Sequence, residues 1–313
     1  MRNLKFISIM SELGAGTRGA SLGLQALQVA ALNAENLFFR NHVFAPVETE
    51  NDLLFQENPT PNGKNIEGIA RLYNRVEDTV SNAINNGQFP YVVSGDHACA
   101  GGTMAGIKKA FPNKRLGVIW VDAHADLHSP YTTPSGNVHG MPLATAISEN
   151  NEESAINEIL GDTKEAWDVM KGDKQRLNPS DLVFVSLRDT EKPEEHLLAK
   201  YTIPNFTTAM VKEEGVKAIA AKCLDHLKDC DIVYISFDVD SMDCDLVSKG
   251  TGTPVPNGLT EAQATDLLLE LLQTPKLCCF EMVEINPCLD NKGNVMAETA
   301  FRILEKTIEQ LNK

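Results

Sequence analysis

Several things are scarce in this 313-residue chain, and each scarcity removes a class of protein. No apolar run approaches the length of a transmembrane helix, and the N-terminal Met-Arg-Asn-Leu-Lys-Phe-Ile-Ser-Ile-Met10 has too short an apolar core for a signal peptide. Basic residues are few: 28 Lys and Arg against 43 Asp and Glu leave a formal charge of −15. That balance argues against a nucleic-acid or anionic-membrane surface and would draw a cationic substrate inward, although most of the acids are expected on solvated helix faces. The seven cysteines are odd in number and lack any C-x-x-C spacing, so neither a disulfide framework nor a zinc ribbon is expected and the compartment reads as reducing. No low-complexity tract, internal repeat or composition break marks a linker. Residues 1–313 therefore read as a single domain, large for one core but within reach of a many-stranded α/β sheet.

What is present is a regular alternation. Strands are expected at 5–10, 89–94, 116–121, 181–187, 231–237 and 277–285. Helices are expected at 20–34, 65–86, 101–110 and near 141–149, 154–160, 213–228, 260–273 and 297–312. In the second of these, Ile66, Ile69, Ala70, Leu72, Val76, Val80 and Ile84 recur at threes and fours. Strand, helix, strand at this spacing means βαβ units, hence an α/β protein with three α/β/α layers around a mainly parallel, doubly wound sheet.

The ends of the strands carry the chemistry. Leu116-Gly-Val-Ile-Trp-Val is a strand of the kind buried on both faces, and Asp122, His124 and Asp126 follow it on alternate residues. In an extended chain these side chains would share one side at a repeat of roughly 6.5 Å. Two carboxylates with no nearby Lys or Arg would repel there unless a cation compensated them. Ile232-Val-Tyr-Ile-Ser-Phe-Asp238-Val-Asp240 repeats the design, and Tyr91-Val-Val-Ser-Gly-Asp96-His97 supplies a third strand ending at a histidine. Ligands of an open parallel sheet gather outside its carboxyl ends, so His97, Asp122, His124, Asp126, Asp238 and Asp240 are expected together. Four carboxylates and two imidazoles without a thiolate suit Mn²⁺, with Fe²⁺, Co²⁺, Ni²⁺ or Zn²⁺ as competitors. Their number suits two ions about 3.5 Å apart, which would lower the pKa of a bridging water and make hydroxide available near neutral pH.

A rival signal stands near the N-terminus, where Gly14-Ala-Gly16-Thr-Arg-Gly19 is a literal G-x-G-x-x-G between a strand and a helix. A dinucleotide-binding oxidoreductase would need an acidic residue closing the next strand, for which Glu48 or Glu50 after Val43–Val47 could serve, although Pro46 weakens that strand. The plainer reading is a glycine turn leading into the first helix. Tyr131-Thr-Thr-Pro-Ser-Gly-Asn-Val-His139 is rich in hydroxyls and amides that can bind a substrate carboxylate, and His139 is its one group of suitable pKa for proton transfer.

Together Ser94-Gly-Asp-His97, Asp122-Ala-His-Ala-Asp126, Ser135-Gly-Asn-Val-His-Gly140, Ser236-Phe-Asp-Val-Asp240, Gly252-Thr-Pro254 and Glu284-Ile-Asn-Pro287 resemble, in order, the motifs of the ureohydrolase family, and of its arginase branch in particular. The resemblance runs from about residue 14 to 300. It implies an arginase-like fold and two Mn²⁺ per subunit, with Co²⁺, Ni²⁺ or Fe²⁺ as substitutes. One ion would be held by His97, Asp122, Asp126 and Asp238, and the other by Asp122, His124, Asp238 and Asp240. The implied reaction hydrolyses L-arginine to L-ornithine and urea, a metal-bridging hydroxide attacking the guanidinium carbon. Asp126 would steer the hydroxide, His139 would return a proton to the leaving amine, and Glu284 would clamp the guanidinium with Thr253 nearby. His128, Thr133, Ser135 and Asn137 would hold the α-carboxylate, and Glu191 the α-amino group. The sequence departs from the family with His128 where Asn is usual, Glu191 where Asp is usual, and one surplus residue around Ser248-Lys-Gly250. Agmatinase, guanidinobutyrase and formiminoglutamase would keep the metal set and change the loop at 128–139. A cytoplasmic homotrimer or homohexamer is implied.

Overall fold

A computed structural model describes residues 2–313 and contains one sheet of eight strands. In chain order these are β1 (Leu4–Ile9), β2 (Ala45–Pro46), β3 (Phe89–Ser94), β4 (Leu116–Val121), β5 (Leu182–Val185), β6 (Asn205–Phe206), β7 (Ile232–Asp238) and β8 (Leu277–Val283). Every pairing is parallel, and the order across the sheet is β2-β1-β3-β8-β7-β4-β5-β6. The two edge strands are only two residues long, and Pro46, which cannot donate to a ladder, sits in one of them.

The continuous apolar runs follow from burial on both faces. Ile119, Val121, Val233, Ile235 and Phe237 join one apolar layer with the helices Gly23–Asn33, Glu261–Leu271 and Val295–Leu311. Their neighbours Val118, Trp120, Ile232 and Tyr234 join the opposite layer with the helices Ile66–Asn85 and Cys99–Ala110. Alternate residues thus face alternate layers, each fully buried Val or Ile contributing roughly 1.5–3 kcal/mol. This is the α/β/α architecture expected of the sequence.

Topology places the site. From β3 the chain crosses to β4, and only later do β7 and β8 fill the gap between them. The carboxyl ends of β3, β8, β7, β4 and β5 therefore lie side by side, which is where a doubly wound sheet receives ligands.

Some helices depart from expectation. Residues 154–160 are not helical beyond the short turn Glu152–Ser154. Ile156 and Asn157 donate their N–H groups to Tyr131 O, and the Asn157 amide donates to Pro130 O and Thr133 O, bonds that compete with helix formation. The helix comes afterwards, at Asp162–Lys171, and another unforeseen one spans Lys192–Tyr201. The stretch 213–228 is two helices, Thr208–Glu214 and Val216–His226, separated by Gly215. Among the described residues no helix is long and apolar enough to cross a membrane. None of the seven cysteines is in a disulfide.

Candidate metal centre

The residues after β4 do not stay extended. Asp122 donates its N–H to Val185 O, its Oδ1 accepts the His124 N–H at 2.7 Å, and Asp126 takes a positive φ of 51°. The alternate spacing thus brings the three side chains to one site by a bend, where a continuing pleat was expected. Positive φ recurs at Ser186 after β5 and at Glu284 after β8, so backbone strain collects at the strand ends around one pocket.

His97 Nδ1 lies 3.0 Å from both Asp122 Oδ2 and Asp126 Oδ2 and 3.2 Å from Asp238 Oδ2. Its other nitrogen, Nε2, pairs with Ser236 Oγ at 2.8 Å, and its ring stacks on Trp120 with centroids 4.1 Å apart. Serine and indole thereby fix which ring nitrogen faces the carboxylates. Across the cluster, His124 Nδ1 lies 3.0 Å from Asp240 Oδ2 and 3.5 Å from Asp122 Oδ1. Among the described residues two groups bring their ligand atoms within 4.8 Å of one another, His97 with Asp122 and Asp238, and Asp122 with His124 and Asp240. Asp122 is common to both.

The donor set fits divalent cations. His97 Nδ1, Asp122 Oδ2 and Asp126 Oδ2 are buried and complete no hydrogen bond, although such groups rarely go without a partner. Burial drives the Asp238 carboxyl well above the usual range and Asp126 up to about 6, with neighbouring carboxylates adding to the push. For Asp122 burial acts in the same direction, but His124 and His97 outweigh it and hold that carboxyl low. Four carboxylates this deep are stable together only against compensating positive charge.

Above the cluster opens a cavity of about 280 Å³. Its wall includes His97, His124, Asp126, Asp238, Asp240, His128, Thr133, Ser135, Asn137, His139, Glu191, Thr253 and Glu284, while Asp122 is buried beneath. All the site residues expected from sequence therefore meet in one place. Glu284 Oε1 accepts the His97 N–H at 3.0 Å and lies 3.2 Å from His139 Nδ1, and its Oε2 is a buried acceptor without a partner. Thr253 donates to Asp240 Oδ2 at 3.2 Å. Thr133 Oγ1 accepts the Gly136 N–H and Ser135 Oγ the Asn137 N–H, and the two hydroxyls share one long contact of 3.5 Å, which leaves at least one hydroxyl hydrogen free to donate.

The departures have visible consequences. His128 pairs through Nδ1 with Thr132 Oγ1 at 3.1 Å, and its Nε2 lies 3.6 Å from Glu191 and 3.7 Å from Glu194. Burial lowers its pKa to about 4. The surplus residue by Gly250 is absorbed away from the pocket: Lys249 N–H donates to Asn291 Oδ1, and Gly250 O accepts the Asn286 N–H.

Sequence reasoning missed Asp96, Asp189 and Glu194. Buried Asp96 accepts the Gly14 N–H at 2.8 Å and the Ala98 N–H at 2.9 Å, tying the first turn to the loop that carries His97. Asp189 lies 3.7 Å from His124 Nε2. Glu194 accepts the N–H groups of Glu191 and Leu127, and burial pushes its pKa up to about 8. Its only signal was a Glu three residues into a helix that was itself unforeseen.

The glycine turn is no cofactor cradle. Glu12 Oε2 takes the N–H groups of Gly19 at 2.7 Å and Ser21 at 3.1 Å, donors that a pyrophosphate would need. Glu50, offered as a ribose ligand, is paired instead with Arg71 and Arg75. The dinucleotide reading is therefore corrected.

The chain matches the model of the arginase family over residues 3–309. It belongs to the arginase family. It is 30% identical over 310 residues to the arginase of Brevibacillus brevis, covering 97% of this chain and 96% of that one. It is 30% identical to the arginase of Bacillus subtilis (strain 168), covering 98% of each. The crystal structure of arginase from Bacillus subtilis superposes with a TM-score of 0.80 at 27% identity, covering 100% of this chain and 99% of that one. Entamoeba histolytica arginase in complex with L-ornithine superposes with a TM-score of 0.82 at 26% identity, covering 98% and 99%. As a member of the arginase family the protein is a hydrolase of guanidino C–N bonds.

Proposed function

We propose that this protein is a binuclear manganese arginase that converts L-arginine to L-ornithine and urea. The observation that carries the reading is the convergence of His97 Nδ1 with three carboxylate oxygens at 3.0–3.2 Å, beneath a pocket whose Glu284 Oε2 is a buried, unpartnered acceptor. Hard oxygen and nitrogen donors favour Mn²⁺. His97, Asp122, Asp126, Asp238, His124 and Asp240 would hold two such ions, which when bound supply an acidified water as the nucleophile.

The chain's own groups do the rest. Glu284 Oε2 accepts from the substrate guanidinium, a charge-assisted bond that brings the reacting carbon over the cluster. Asp126 orients the attacking water through its carboxylate. His139, beside Glu284, holds the proton that the leaving amine requires. Thr133, Ser135 and Asn137 donate to the α-carboxylate, while Glu191, with Glu194 behind it, faces the α-amino group. The reading extends to a cytoplasmic homotrimer or homohexamer, as the resemblance to the family implies.

The test is urea release by the purified, Mn²⁺-supplied protein from L-arginine, agmatine and 4-guanidinobutyrate. A site that bonds both the carboxylate and the amino group rejects analogues lacking either by roughly 10⁴-fold or more, because its polar groups are then left unpaired. Agmatine or guanidinobutyrate turned over as well as arginine would overturn the assignment, and His128 and Glu191 would be the residues responsible.

A further inference from the structure

The loop that faces the substrate carboxylate is gripped from outside by a segment with no role in the scheme above. Lys64 donates its backbone N–H to Gly136 O at 2.8 Å and its Nζ to Asn137 Oδ1 at 3.2 Å. Gly136 sits at a φ of +75°, and a Cβ there would lie 1.8 Å from Pro61 O, so the loop and residues 61–64 touch backbone to backbone. On the other side of the amide, a Cβ on Gly16 would lie 2.5 Å from Asn137 Nδ2. An ammonium can only donate, so it dictates which end of the Asn137 amide is oxygen. The NH₂ end is thereby left to donate.

Charge points the same way. The pocket rim contains the carboxylates of Asp189 and Glu191 but no Lys or Arg. Arg188, just below, spends its guanidinium on the main-chain carbonyls of Asp240, Val255 and Pro256. Lys64 is exposed and has no carboxylate partner among the described residues. A substrate α-carboxylate held at Asn137, on the same rim as the Asp189 and Glu191 carboxylates, gains from a positive charge beside it, and Lys64 is the group standing there.

We propose that Lys64 is a positioning and specificity residue that turns the Asn137 amide to donate and supplies the rim's positive charge to the substrate carboxylate. The proposal deepens the arginase reading and rests on it. It assigns the preference for guanidines that end in a carboxylate to a residue outside the pocket wall. A guanidine whose carboxylate is replaced by a neutral amide should gain nothing from it.

The experiment compares wild type, Lys64→Met and Lys64→Arg, all Mn²⁺-supplied, on L-arginine and L-argininamide. In Lys64→Met the KM for arginine should rise roughly five- to tenfold, the share of one charge-assisted contact at a solvent-facing rim, while the KM for argininamide moves less than twofold. Lys64→Arg should recover most of the loss. Added salt should raise the arginine KM of wild type more steeply than that of Lys64→Met, which keeps only the attraction of the acidic protein for the guanidinium. Calorimetric titration with L-ornithine, expected five- to tenfold weaker in Lys64→Met, reads the same contact without turnover. Equal changes for both substrates, or none for either, would overturn the assignment while leaving the arginase reading intact. A wild-type enzyme indifferent to the carboxylate would overturn both.

Discussion

His139 and Glu284, 145 residues apart in the chain, meet at 3.2 Å between Nδ1 and Oε1. Burial works against a charged imidazole at His139, but the Glu284 carboxylate outweighs it and holds the pKa above its ordinary 6.5. The same carboxylate keeps a second oxygen without a partner. In the proposed reaction that one contact would charge the proton donor and leave an acceptor for the guanidinium.

The first prediction follows from that pair. His139→Asn should keep both metals and lower kcat by roughly 10²–10⁴-fold, the usual share of general acid catalysis. Protonated His139 is present below its folded pKa and lost as pH rises through it, so the wild-type rate should fall above that point and the variant should lack the step. A variant with unchanged kcat would reduce the histidine to a structural part.

A second prediction concerns Ser236, whose Oγ holds His97 Nε2 at 2.8 Å. Ser236→Ala frees the imidazole to turn, and loss of such an outer partner typically costs 10–100-fold in metal affinity. Competition with a chelator would measure it. Metal affinity equal to wild type would show that Trp120 stacking alone sets the ring.

Much of this was legible in sequence because it depends on patterns that burial enforces. Asp122, His124 and Asp126 follow a strand with no polar residue, so their chemistry stood out, as did Asp238 at the end of β7 and Asp240 beyond it. Other parts depend on distant partners. The segment 154–160 has apolar residues at helical spacing, yet Ile156 and Leu160 are exposed because Asn157 and its neighbour are tied to Tyr131 and Pro130. Glu194 looked like an ordinary acid in a charged stretch, and only the fold buries it behind Glu191. The glycine turn carried a misleading signature because the residue that fills it, Glu12, lies just outside the motif.

Glu194 yields a pH prediction. Its folded pKa of about 8 lies above the ordinary 4.5, so the folded chain holds this proton where the unfolded chain releases it. Its share of stability is full below 4.5 and declines as pH rises toward 8. Glu194→Gln should escape that decline, so its Tm relative to wild type should improve between about pH 5 and about pH 8. A Tm difference that does not vary with pH would contradict the buried, proton-holding role.

Gly16 tests the turn. A Cβ at this position meets only the end of the Asn137 side chain, which can swing away at little cost to the fold. Gly16→Ala should therefore leave Tm within about 1 °C, a change of under about 1 kcal/mol in a chain of this size, and raise the KM for arginine severalfold. Thermal melts and steady-state kinetics check both halves, and an unchanged KM would mean that Asn137 does not bind substrate in the pose described.

Metal content measured beside turnover tests the central claim most directly. Wild type supplied with Mn²⁺ should carry two ions per chain, and Asp238→Ala should lose at least one together with several orders of magnitude in urea release, since the nucleophile is generated there. Two ions and near-normal turnover in Asp238→Ala would contradict the binuclear account.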